Sequence, residues 1–281
     1  MPAPTLPSEN QIATAVAPSG FAIEFDDVSI AFDEKVVLQN ISFHLAHGET
    51  KAVFGVAGSG KSTMLKLAMG LLRPDSGRIY VLGEEITHMT EQELFELRRR
   101  VGIVFQESAL FDSMKVNENV AFRLMEEGTA SEEIERRVRE VLRFVELERT
   151  YDMFPSELSG GMRRRVAIAR AIITEPEVIL YDSPTGGLDP VTSNTIVDLI
   201  MKQRDVYKTS ALMVTHRLQD AFTMASHQFD KATNKVVALP KGQLCEVPMS
   251  FLILRDAKII FDGDAHQLAI SRDEYIREYI S

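Results

Sequence analysis

Cysteine is almost absent from this 281-residue sequence, where Cys245 stands alone. A single thiol excludes an internal disulfide framework and fits a reducing compartment. Long apolar runs are missing too: no stretch approaches the ~18 consecutive apolar residues of a membrane-spanning helix, so the chain is not expected to cross a bilayer itself. Basic charge is in deficit. Lys and Arg number 31 against 41 Asp and Glu, a formal charge of −10, which argues against nucleic acid as the partner of the whole domain, because phosphate contacts need a basic face. Residues 1–20 hold Pro2, Pro4, Pro7 and Pro18 but no basic start and no long apolar core. They read as a flexible tail, not a signal peptide. What remains, 45% apolar and 26% charged, is ordinary for a folded protein and long enough for one large α/β domain or two small ones.

Against that background one stretch carries chemistry. Gly55-Val56-Ala57-Gly58-Ser59-Gly60-Lys61-Ser62-Thr63 matches G-x-x-x-x-G-K-[ST], preceded by the apolar Ala52-Val53-Phe54 and followed by Met64, Leu65, Ala68, Leu71 and Leu72 at helical spacing. Gly55, Gly58 and Gly60 let the backbone wrap a polyphosphate and aim N–H groups at its oxygens. Lys61 supplies a charge for the β- and γ-phosphates and Ser62 a hydroxyl for Mg²⁺. A helix expected from about Thr63 to Leu72 adds its positive dipole end.

Strands are expected on either side of this loop. Before it, residues 21–46 read as two or three strands, with Phe32 at an end where it either stacks on a base or packs in the core. After it, Val101-Gly102-Ile103-Val104-Phe105 is a buried-strand run that ends on Gln106, which reaches a metal or caps a loop. Strand signal then stops, and Ser131 is expected to cap a helix whose stripe is Ile134, Val138, Val141, Leu142 and Val145. Leu158-Ser159-Gly160-Gly161 opens another helix, a second anion-ready N-terminus, and Arg163-Arg164-Arg165 behind it reads as a solvated face. Val178-Ile179-Leu180-Tyr181-Asp182 places an acid at a strand tip, the geometry that holds Mg²⁺ through a carboxylate. Ala211-Leu212-Met213-Val214-Thr215 does the same for His216.

Taken in order, the phosphate loop, Gln106, Leu158-Ser159-Gly160-Gly161, Asp182, Gly186-Gly187-Leu188-Asp189 and His216 resemble the ATP-binding subunit of an ABC transporter over residues 21–262. The resemblance implies an α/β P-loop NTPase with a RecA-like core, an N-terminal antiparallel β subdomain and an inserted helical subdomain at about 107–170, all within residues 21–281. It implies a head-to-tail dimer with a second copy, in which ATP lies between the loop 55–63 of one and Ser159, Gly160 and Gly161 of the other. By position, Phe32 matches the base-stacking aromatic, Gln106 the coupling glutamine near Mg²⁺, Asp182 the Mg²⁺-supporting acid, Asp189 the residue communicating across the dimer, and His216 the γ-phosphate sensor. An integral membrane permease and a peripheral site on the cytoplasmic side of the inner membrane follow from the same likeness. Phe105-Gln106-Glu107-Ser108-Ala109-Leu110-Phe111-Asp112-Ser113-Met114, and Met162 where many relatives have Gln, look like the Mla-type branch, which moves phospholipid with an MCE-domain partner.

Two departures stand out. The residue after Asp182 is Ser183, where the family pattern has a glutamate that polarises the attacking water. The other is an insertion at about 226–248, read as a hairpin of Lys235-Val236-Val237-Ala238-Leu239 and Gln243-Leu244-Cys245-Glu246-Val247 around Pro240-Lys241-Gly242, ahead of a C-terminal helical segment at 264–281. Three functions fit in principle: a transport ATPase, an ATP-switched dimerising module with weak hydrolysis, and a soluble relative acting on DNA or ribosomes. The acidic balance and the absence of a long heptad array disfavour the third.

Overall fold

The computed structural model describes residues 20–240 and 245–280. The expected tail therefore lies outside the described residues, apart from Gly20. Strand β1 (Ile23–Phe32) turns back into β2 (Lys35–Leu45), and β3 (Thr50–Gly55) runs into helix α1 (Lys61–Ala68). Then come β4 (Ser76–Val81), β5 (Glu84–Glu85), α2 (Glu91–Arg98), β6 (Val101–Val104), and three helices, α3 (Val116–Glu126), α4 (Ser131–Phe144) and α5 (Gly160–Ile172). The second half holds β7 (Val178–Asp182), α6 (Pro190–Tyr207), β8 (Ser210–Val214), α7 (Leu218–Ser226), β9 (His227–Asp230), β10 (Lys235–Ala238), β11 (Met249–Arg255), β12 (Lys258–Asp264), α8 (Ala265–Ala269) and α9 (Glu274–Ile280).

These strands form two main sheets. A six-stranded sheet has the order β12-β11-β3-β8-β7-β6, parallel except for antiparallel β12. A four-stranded antiparallel sheet, β2-β1-β4-β5, stands beside it. The parallel strands are apolar without alternation because both faces are covered. Phe54, Tyr181, Met213 and Ile253 enter the cluster packed with α3 to α7, whereas Val53, Leu180, Leu212 and Leu252 enter the one shared with α1, α2 and the antiparallel sheet. The core sheet is thus clamped from both sides, and its C-terminal edge is left to carry loops.

Several boundaries differ from the sequence-based expectation. Helix α1 starts two residues early, at Lys61, because left-handed Gly60 (φ 95°) is its N-cap. Residues 35–45 form one long strand with register shifts in its pairing. Strand β6 stops at Val104, leaving Phe105 exposed. Ser131 is the first residue of α4; the cap position belongs to Ala130, whose methyl side chain has no oxygen to offer the helix N–H groups.

The inserted hairpin forms with a different partner. Strand β10 pairs antiparallel with β9, Lys235 facing Asp230 and Ala238 facing His227. The Asp230 carboxylate accepts from the Ala232 N–H at 2.9 Å and the Thr233 hydroxyl at 2.8 Å, and Asn234 takes a left-handed φ of 53°, so the turn closes at 231–234. The described residues 245–247 form no strand, and 241–244 lie outside the described residues. A buried pair ties the hairpin down: Arg204 donates to Asp205 at 2.7 and 3.0 Å and to the carbonyls of Met224 and His227, while Asp205 accepts from the Phe229 N–H at 2.7 Å.

Candidate functional site

The phosphate loop joins β3 to α1 under tight steric limits. Gly55 has φ 151°, and a Cβ there would lie 2.5 Å from both the Leu254 carbonyl oxygen and Ser59 Oγ. Gly60 sits beneath β2, where a Cβ would meet Leu38 Cδ2 at 2.6 Å and the Val37 carbonyl oxygen at 2.9 Å. Only glycine fits either place. Lys61 is buried and folded onto the loop: its Nζ donates to the carbonyls of Gly55 and Val56, each at 2.9 Å, and to Ser59 Oγ at 3.3 Å. Burial pushes its ammonium below the usual range, and the Asp182 carboxylate opposes that shift. The rim of the loop, Val56 to Gly58, is exposed and Thr63 is half-buried.

Asp182 is the hub of the second wall. Its Oδ1 accepts from the Ser62 hydroxyl at 3.3 Å and from the Ser183 hydroxyl at 3.4 Å. This all-oxygen pair of hydroxyl and carboxylate is a donor set that suits Mg²⁺, which takes its remaining ligands from phosphate oxygens and water. Ser183 is 3% exposed and left-handed, with φ 46°. Its N–H donates to the Val214 carbonyl at 2.8 Å and its carbonyl accepts from the Gly186 N–H at 2.9 Å. Gln106 is exposed beyond β6, its Cγ 3.5 Å from where a Cβ on Gly186 would lie. His216 is exposed beyond β8. Partial burial, then the Lys61 charge, lower its pKa, with Asp182 opposing, so the imidazole is neutral at neutral pH.

Ser159, Gly160, Gly161 and Asp189 form a neighbouring group at two helix N-termini. Ser159 caps α5, its Oγ accepting from the Met162 N–H at 3.3 Å. Asp189 caps α6, accepting from the N–H groups of Val191 at 3.1 Å and Thr192 at 3.0 Å; the Thr192 hydroxyl, then these N–H groups, hold its carboxyl below the usual carboxylate range. A Cβ on Gly161 would meet Thr192 Cγ2 at 2.4 Å, so α5 and α6 start in close contact. Phe32 is 44% exposed at the end of β1. That exposure removes the core alternative for this ring. The structure therefore gathers Lys61, Ser62, Ser183 and His216 around the Asp182 carboxylate, with Gln106 packed against the turn at Gly186, while Gly160 and Gly161 lie against Leu188 and Thr192 on either side of Asp189.

Sequence reading missed Arg164. The arginines at 163–165 were expected to be solvated, yet Arg164 is 4% exposed. Its Nη1 donates to the carbonyls of Phe105 and Ser183, both at 3.2 Å, and its Nη2 to Gly186 at 3.3 Å. The signal was present: Gly161, Arg164, Ile168 and Ala171, spaced by three and four, make one buried stripe of α5. Elsewhere the Thr185 hydroxyl donates to Asp220 at 2.6 Å, and Arg217 pairs with Asp220 at 3.3 Å, fixing the start of α7 to the turn after Ser183.

The ABC transporter family model matches residues 38–186, a span that runs from β2 through the phosphate loop and signature to the turn after Asp182. The chain belongs to the ABC transporter family. It is an ATP-binding subunit of that family and an ATPase, with the α/β fold and inserted helices of such cassettes. Protein TRIGALACTOSYLDIACYLGLYCEROL 3, chloroplastic, of Arabidopsis thaliana is 38% identical over 271 residues, covering 93% of this chain and 74% of the relative. The intermembrane phospholipid transport system ATP-binding protein MlaF of Haemophilus influenzae is 34% identical over 217 residues, 77% of this chain and 82% of the relative. The methionine import ATP-binding protein MetN of Carboxydothermus hydrogenoformans is 40% identical over 182 residues, 65% and 54%. Among solved structures, a dimeric ATP-binding cassette in a post-hydrolysis state bound to ADP and Pi superposes with a TM-score of 0.71 at 28% identity, covering 86% of this chain and 98% of its own. Among the described residues of this ABC subunit, no helix is long and apolar enough to cross a membrane.

Proposed function

We propose that this subunit powers phospholipid movement through a separate membrane permease. It would work as a head-to-tail dimer with an MCE-type lipid-binding partner, on the cytoplasmic face of the inner membrane. The observation that carries the ATP chemistry is the convergence of Lys61, Ser62 and Asp182 beside a neutral His216. Lys61 releases the loop carbonyls to take the β- and γ-phosphates, Ser62 and Asp182 hold Mg²⁺ with Gln106 at the edge, and His216 orients the γ-phosphate. The metal, when bound, neutralises the charge that builds on the transferring phosphoryl group. Phe32 stacks on the base, and Ser159, Gly160 and Gly161 close over the ATP of the second copy, with Asp189 beside them. Support for the dimer comes from the dimeric cassette that this fold resembles. Phe95, Phe105, Phe111 and Met125 are exposed apolar side chains on α2, on α3 and between β6 and α3 that a permease could cover. Support for phospholipid comes from the MlaF likeness, while the MetN likeness makes methionine import the competing assignment.

Ser183 favours a second reading, an ATP-switched dimerising module. Its hydroxyl is turned onto Asp182 and a serine cannot act as a carboxylate base, so ATP would be held longer than it is cleaved, unless Glu107 or Asp189 serves as base. One experiment tests the assignment: purify the chain with its co-expressed membrane partners and measure ATP-dependent transfer of labelled phospholipid between vesicles, beside methionine uptake. ATP-driven lipid transfer is expected. Methionine uptake, or a preparation carrying no integral membrane protein, would overturn the lipid reading. ATP turnover without transfer would leave only the ATPase.

A further inference from the structure

We propose that Arg164 is a positioning residue of the ATPase site, holding the backbone on either side of the hydrolytic position in register with the signature helix. The inference rests on the ATPase reading. Arg164 is a buried guanidinium for which no carboxylate lies within ion-pair reach among the described residues, and its Nε is buried without a hydrogen-bond partner. A charge taken out of water costs several kcal/mol unless it is paired. Here the offset comes from three carbonyls on two segments: Phe105, one residue before Gln106, and, in the turn after β7, Ser183 itself and Gly186, against which Gln106 packs.

The fold does not need this arginine to satisfy those carbonyls. Phe105 already accepts from the Ser108 N–H at 3.0 Å, and Ser183 from the Gly186 N–H at 2.9 Å. An apolar side chain of similar volume would orphan only Gly186, and replacing a buried ion by such a residue is often neutral or stabilising. The charge is therefore spent on position. Arg164 lies on α5 one turn beyond Gly160 and Gly161, so a rigid shift of that helix start pulls on the backbones of Gln106 and Ser183 together. Burial lowers its pKa, and Asp182 and Glu107, which attract the guanidinium through space, oppose that shift.

The test uses the full chain carrying Arg164→Gln, Arg164→Leu and Arg164→Lys. ATP affinity is read with a fluorescent nucleotide, turnover by single-turnover phosphate release, and stability by denaturant midpoint. In Gln and Leu, kcat is expected to fall at least tenfold with KM and ATP affinity within threefold, and the Leu midpoint to stay or rise. Lys, which can donate to two of the three carbonyls, recovers at least threefold of the loss. Folded variants whose kcat stays within threefold of the parent overturn the proposal, as does a kcat that falls only in step with the midpoint. Should the parent bind ATP without turnover, the same series is run on Ser183→Glu. Silence there too counts against the ATPase reading, and the ATP concentration that drives self-association then decides: a fivefold shift in the Gln and Leu variants supports positioning by Arg164, and no shift overturns it.

Discussion

Arg204 and Lys61 are both buried cations, and the molecule treats them in opposite ways. At the far side of the core sheet, Arg204 is neutralised by Asp205 and by two carbonyls, and the pair pins the β9–β10 hairpin to α6. At the nucleotide face, Lys61 rests on the carbonyls of its own loop, with no carboxylate in ion-pair contact among the described residues. The same physics governs both, because a buried charge must find electrons somewhere. Arg204, with its own anion, is finished structure, whereas Lys61, held by neutral oxygens of the phosphate loop, is compensated fully when a polyphosphate arrives.

The contrast can be broken from either side. The largest effect is expected at the scaffold: Asp205→Ala strands Arg204 as an unpaired buried charge and should cost about 3–5 kcal/mol of unfolding free energy, read as a lower denaturant midpoint, while the folded fraction binds ATP as before. Lys61→Ala should do the reverse. Removing charge-assisted contacts to two phosphates costs about 3 kcal/mol, or roughly a hundredfold in ATP affinity by equilibrium titration, with the midpoint unmoved. Equal stability losses in the two variants would erase the distinction.

A smaller step follows at the catalytic position. A positioned general base is worth about 10²–10⁴ in rate, so Ser183→Glu should raise ATP turnover of the assembled complex at least tenfold while leaving affinity alone. No gain from a well-folded variant would assign the base elsewhere. The smallest effect is a pH limb. His216 has its pKa lowered in the folded protein, so in the window below its unfolded value of about 6.5 the unfolded state binds the proton and the native state does not. Stability contributed by the neutral ring is present above that value and is lost as pH falls through it. The acid limb of kcat/KM should shift with it, and His216→Ala should flatten both.

The sequence made the chemistry legible wherever it sat at the end of a strand buried on both faces, because such strands are continuous apolar runs and their tips follow by counting. Asp182 and His216 were placed this way, and Lys61 by the glycine and lysine spacing of its loop. Gln106 was placed near a strand end too, although its strand stops one residue sooner than the apolar run implies and Phe105 is exposed. What stayed hidden depended on contacts between elements. Three consecutive arginines look alike in sequence, and only the packing of α5 against the β6 and β7 tips selects Arg164. The hairpin partner was misread because Pro240 and Gly242 are strong turn signals, while Asp230, which closes the actual turn through its side chain, sits in a segment with little apolar alternation.

The left-handed backbone at position 183 has a consequence of its own. That φ of 46° is held from both directions, by the N–H bond to Val214 and by the bonds that its carbonyl receives from Gly186 and Arg164. None of these involves the side chain. Position 183 is therefore a fixed mount: whichever residue occupies it leaves the main chain along the same Cα–Cβ direction, beside Asp182. Exchanging the group on that mount changes what stands beside Asp182 while the main-chain bonds that fix the frame stay in place.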